Sequence, residues 1–131
     1  MRNMILNKSE TKRLSKNELT QDDIEYFKNK FGNRFVRALR AVEEGKVLKY
    51  TFKPSETHTW IVKGTKREYL VIPDIFCTGR DFYQSVVISR DATTCYHLLA
   101  QQIAELRNSY KIVKSTDAER RHLFIKWRKT N

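Results

Sequence analysis

Glycine is scarce, with four in 131 residues, and neither GxGxxG nor GxxxxGK[ST] occurs, so the usual glycine-rich phosphate cradles are not expected. There are only two cysteines, too few for a disulfide scaffold but enough to take part in one metal site. No apolar run is long enough to span a bilayer, and Met1–Ser9 has no signal-peptide core. No HExxH or HxE…PCxxC arrangement is found, which removes the commonest zinc-hydrolase and deaminase patterns. These absences describe a soluble, intracellular (cytoplasmic) small domain with no membrane partner and no evident small-molecule substrate.

What is present is a modest apolar core and an excess of positive charge. Leu, Ile, Val and Phe make up about a quarter of the chain, above the level at which disorder is the default. Lys and Arg number 26 against 15 acidic residues, a net charge of +11. Residues 111–131 alone carry +5 of it. Such an excess attracts polyanions through the summed field and through counterion release; it serves equally as a solubilising surface.

Residues 1–18 are basic, polar and weakly periodic, and read as a flexible arm in which Met4, Ile5 and Leu6 dock at most locally. The remainder, residues 19–131, reads as a single domain. Thr20 is placed to cap a helix whose apolar residues fall at Ile24, Phe27, Phe31, Phe35, Ala38 and Val42. Gly32-Asn33 interrupts that stripe with a kink or a split, and Gly45 is placed to end it. Three strands follow at 47–53, 57–63 and 67–72, with turns at Pro54 and Gly64-Thr65-Lys66 and a stop at Pro73, predicting an antiparallel meander. Asp81–Ser89 satisfies helix and strand patterns alike. Thr94–Arg107 predicts an amphipathic helix, and Asp117 is placed to cap a last helix over Ala118–Lys129 with a Leu123/Trp127 pair. The fold class is α+β: an N-terminal helical region, a three-stranded antiparallel sheet, a connector and C-terminal helices.

Cys77, Cys95 and His97 gather the best soft-to-borderline metal donors in one window. Residues two apart within a helix diverge by about 200°, but a cysteine at the cap position escapes helical geometry and can converge with His97. Zinc takes four ligands at a structural site, and His58, Asp74, Asp81 or a water is left as the fourth. Two buried cysteines and a hydrogen-bonded histidine in an ordinary core would look the same.

Residues 77–100, CTGRDFYQSVVISRDATTCYHLLA, resemble the SWIM-type zinc finger, whose pattern is CxC followed after a spacer by CxH. The match is strongest at Cys77 to Phe82 and Cys95 to Ala100; strands from Trp60 to Ile72 fit the hairpin that precedes the ligands, giving a SWIM core of about 60–106. Upstream, Phe35–Phe52 is similar to small archaeal SWIM proteins. The resemblance implies a ββα zinc-finger element with Cys77, Cys95 and His97 as ligands and zinc as cofactor. It departs at Gly79, which stands at the second cysteine of the CxC pair and has no donor atom. A weaker zinc site, a metal-free fold, or a Cys77–Cys95 disulfide of the kind hyperthermophiles keep inside the cell follows from that departure. The resemblance further implies partners in DNA binding, single- or double-stranded, and RecA-like recombination proteins.

An open zinc position also suits hydrolysis, with Asp81 or Asp91 as base, and a Cys95 nucleophile would need His97 as base; no orienting third group accompanies either, so a non-enzymatic role is expected. Tyr50, Phe52, Trp60 and Tyr69 lie on strands, where base stacking competes with ordinary core packing. Arg120, Arg121, Lys126, Arg128 and Lys129 place cations along the last helix and are the candidate phosphate contacts. Two functions stay open: a nucleic-acid-associated zinc-finger module, and a structural adaptor whose apolar faces hold another protein while its charge confers solubility.

Overall fold

The computed structural model describes residues 5–73, 76–78, 86–88 and 94–128. The architecture is α+β, a mixed five-stranded sheet between unequal helical layers. Helices α1 (Lys8–Leu14), α2 (Gln21–Phe31) and α3 (Asn33–Glu43) precede strands β1 (Val47–Lys53), β2 (Thr57–Lys63), β3 (Glu68–Ile72) and β4 (Phe76–Cys77). Helix α4 (Tyr96–Arg107), strand β5 (Lys111–Thr116) and helix α5 (Asp117–Trp127) come last among the described residues. The strand order is β4-β3-β2-β1-β5; all pairings are antiparallel except β1 with β5, which is parallel.

The meander over β1, β2 and β3 forms as its alternation predicts. Val47 pairs with Val62 on one face and Leu48 with Ile61 on the other. The first face joins Phe27, Phe35, Leu99 and Ile103 in the larger core, under α2, α3 and α4. The second joins Phe52, Leu70 and Trp127 in a smaller core under α5. Burying apolar surface on both faces yields about 25 cal/mol per Å² removed from water, which fixes the register because a one-residue slip would exchange the two faces.

Three expectations change. The sheet has five strands rather than three, and β5 makes it mixed. Residues 8–14 of the expected flexible arm form α1, which opens with a capping box between Asn7 and Glu10 and buries Leu14, while Leu6 just before it is also buried. Of the kink or split offered at Gly32-Asn33, the split is found: Gly32 sits at φ 66°, ψ −146° between α2 and α3. The last helix is capped by Thr116, whose hydroxyl accepts from the Glu119 N–H at 3.2 Å. Asp117 instead accepts from the Ser55 N–H at 3.0 Å and hydroxyl at 2.6 Å, tying α5 to the β1–β2 turn. Thr20 caps α2 as expected, in a capping box with Asp23, and Gly45 leaves α3 at φ 70°. Among the described residues, no helix is long and apolar enough to cross a membrane.

Candidate metal centre

The β3–β4 hairpin delivers Cys77, and the start of α4 delivers Cys95 and His97. Cys95 is the N-cap of α4, extended at φ −107°, ψ 168°. That release from helical geometry lets a thiol and an imidazole two residues apart face one point. One ligand atom from each of Cys77, Cys95 and His97 lies within 4.8 Å of the others, and all three residues are buried. The sequence expectation that these donors converge is met.

The one sulfur–nitrogen spacing given by the hydrogen-bonding geometry suits a tetrahedral ion. Zinc bonds of about 2.3 Å to sulfur and 2.0 Å to nitrogen would separate a sulfur and a nitrogen by about 3.5 Å. The Cys77 Sγ and His97 Nδ1 atoms are 3.5 Å apart. The other ring nitrogen, His97 Nε2, is buried without a hydrogen-bond partner among the described residues. A hydrogen bond from Cys77 is the largest influence on Cys95; burial opposes it, while His97 and the Leu98 backbone N–H add to it. The Cys95 thiol consequently lies well below the ordinary thiol range, toward the thiolate that binds metal. No disulfide joins Cys77 and Cys95. Donor type, spacing and charge therefore fit a zinc ion, with Cys77, Cys95 and His97 as the residues that would hold it.

Around the donors is a sleeve of rings that the sequence did not disclose. Tyr69 stacks on one side of the imidazole with centroids 4.0 Å apart, and Tyr96 packs against it at 3.9 Å. The Arg37 guanidinium lies 4.1 Å from the Tyr96 centroid, and burial raises the Tyr96 phenol above its ordinary value. Space for the Tyr69 ring is made by Gly64, where a Cβ would come within 2.5 Å of it. A glycine five residues from a tyrosine in a hairpin was the available signal.

The other candidates scatter. His58 is exposed on β2, 3.2 Å from the Thr51 hydroxyl, and does not join the cluster. Asp74, Gly79, Asp81 and Asp91 lie outside the described residues, as does Lys129. Arg120, Arg121 and Lys126 are exposed on α5 and Arg128 just beyond it. Arg120 packs 4.5 Å from the Phe124 ring, and Lys126 sits 3.4 Å from Glu68. The strand aromatics are structural rather than open stacking platforms: Phe52 is fully buried, Tyr50 packs on Trp127, Trp60 on Tyr110 and Tyr69 on His97.

No family model matches the chain, and no solved structure matches it. Among curated proteins it is similar to the zinc finger SWIM domain-containing protein 7 homolog of Dictyostelium discoideum, at 26% identity over 91 residues. That alignment takes in 68% of this chain and 58% of the relative, so the chain spans little more than half the relative's length. A distant similarity to a SWIM zinc-finger protein and a buried Cys-Cys-His cluster thus agree on the same chemistry: a site compatible with zinc.

Proposed function

We propose that this chain is a non-enzymatic module of the SWIM zinc-finger type, in its small archaeal branch, that holds zinc and binds nucleic acid or a DNA recombination complex containing a RecA-like protein. The observation that carries the reading is the convergence of Cys77, Cys95 and His97 in one buried site. Zinc there ties the β3–β4 hairpin to α4 and so joins the sheet to the helical layer, a structural use of the metal. The cationic surface supports a polyanionic partner, with Arg120, Arg121, Lys126, Arg128 and Lys129 as phosphate contacts. An adaptor role is the second reading, favoured by Ile125, 57% exposed on the outer side of α5.

Metal analysis of protein purified without chelator, paired with thiol titration, tests the first part. One zinc per chain is expected; metal-free protein with two titratable thiols would overturn it. For the second part, log affinity for DNA should fall linearly with log salt, and Gln at these five positions should make that line shallower. Salt-insensitive protein binding with negligible DNA affinity would establish the adaptor instead.

A further inference from the structure

The helices do not cover the whole sheet. On the face that carries Val47 and Val62, packing ends at Lys49, whose ammonium lies 5.3 Å from the Trp60 ring centroid and 5.9 Å from that of Tyr110. Beyond it, toward the ends of β1 and β5, the face meets solvent. The register sets Ile112 beside Lys49, Lys114 beside Thr51 and Thr116 beside Lys53. Val113 packs into the core on the opposite face, so Ile112 and Lys114 share the side of Lys49, Thr51 and Lys53. The Thr51 hydroxyl and His58 imidazole meet across the β1–β2 pair. Lys53 and Lys114 are exposed, Ile112 is 61% exposed, and none of the three lysines is in an ion pair among the described residues.

We infer that this strip, with Lys49, Lys53 and Lys114 as its cations, is a binding surface for single-stranded nucleic acid. The inference rests on the nucleic-acid reading above but locates contact on the sheet face opposite α5. Residues two apart on a strand lie about 6.7 Å apart and neighbouring strands about 4.8 Å, so the three ammonium groups form a zigzag along a flat surface. Charge complementarity selects a polyanion. The apolar Ile112 among the cations selects a strand whose sugars and base faces are uncovered, since a duplex stacks its bases away from such a surface. The Thr51 hydroxyl and the His58 ring supply polar contacts between the lysines. The lysines contact phosphates and Ile112 any base face, neither of which reads sequence, so sequence preference is weak.

Anisotropy of a labelled oligothymidine of about 20 nucleotides, titrated with the full chain over a range of salt, reads the strip directly. K49Q/K53Q/K114Q should lower affinity at least about tenfold and flatten the log–log salt slope by about 2. K53Q/K114Q leaves the ring contacts of Lys49 intact and should flatten it by about 1.4, with an unchanged melting temperature. R120Q/R121Q/R128Q reports the α5 surface separately. Wild-type slope in both lysine variants, with the wild-type chain binding, would overturn the strip and leave the nucleic-acid reading standing. No salt-dependent binding by the wild-type chain would overturn both. Equal slope losses on a duplex of the same length would overturn the choice of a single strand.

Discussion

Gly64 has a packing role that its place in a turn conceals. The Tyr69 ring occupies the space a side chain would need, and that same ring stacks on His97. Gly64→Ala should push Tyr69 off the imidazole and weaken zinc binding about tenfold, the lower end of what loss of a ligand-orienting neighbour costs; competition with a chromophoric chelator measures it. Unchanged zinc affinity would show that the ring does not orient His97. A second residue-scale expectation concerns acid. Asp23 accepts from Lys16, Arg13 and the Thr20 N–H, and these bonds hold its carboxyl well below the usual range. Burial pushes Glu10 up, but Lys30, the Asn7 N–H and the Tyr26 hydroxyl outweigh it, so it too lies low. Carboxyls depressed in the folded state bind fewer protons there than in the unfolded chain. Their stabilisation is complete above about pH 5.5 and drains away as the pH falls through about 4 and below. Asp23→Asn should therefore flatten the acid limb of stability against pH, read by urea titration at several pH values; a limb as steep as wild type would exclude Asp23 as a source. The donors themselves were legible, since cysteine and histidine are rare here and share one window. The ring sleeve was not, because Tyr69, Tyr96 and Gly64 are commonplace residues whose meeting depends on three elements packing together.

Among the elements, the three-strand meander was readable to within a residue, as alternation and turn residues agreed over 47–72. Helix α1 was missed because Leu14 is its single large apolar residue; the Asn7-x-x-Glu10 capping box was its sign. Strand β5 was missed for the complementary reason. It is an edge strand, KIVKST, largely exposed apart from Val113 and Ser115, so its pattern carries little apolar alternation. Helix α4 is less one-sided than its spacing suggested: residues 97–101, 103 and 104 are all buried, because helices and sheet enclose it from several directions. The break between α2 and α3 depends on Gly32, at a backbone conformation that residues with a side chain avoid, although a Cβ there would meet no atom within 4 Å. Gly32→Ala should therefore cost about 1–3 kcal/mol through the backbone alone, measured by equilibrium urea unfolding. A neutral result would mean that α2 and α3 tolerate fusion or a different bend.

At the scale of the molecule, two cores share one sheet and are unequal. The candidate metal centre belongs to the larger, with Trp60; Trp127 belongs to the smaller, where its indole N–H donates to Glu68 at 2.9 Å. Each tryptophan therefore reports one side. Chelation of a zinc-loaded chain should lower the melting temperature by roughly 10–20 °C. Emission of Trp60 in a W127F background should shift at lower denaturant than that of Trp127 in W60F, because the lost tie lies on its side of the sheet. Coincident transitions would show that the sheet couples both cores into one unit.

The parallel pairing of β1 with β5 joins residues near 50 to residues near 114. While the chain emerges from the ribosome, β1 can zip to β2 at once, but its other flank stays open until roughly sixty more residues have been made, several seconds at ordinary rates of translation. During that interval the nascent sheet offers a bare row of backbone donors and acceptors to any neighbouring chain. A version shortened before residue 111 would carry that hazard permanently, and clumping would accompany the loss of the contacts proposed on β5 and α5.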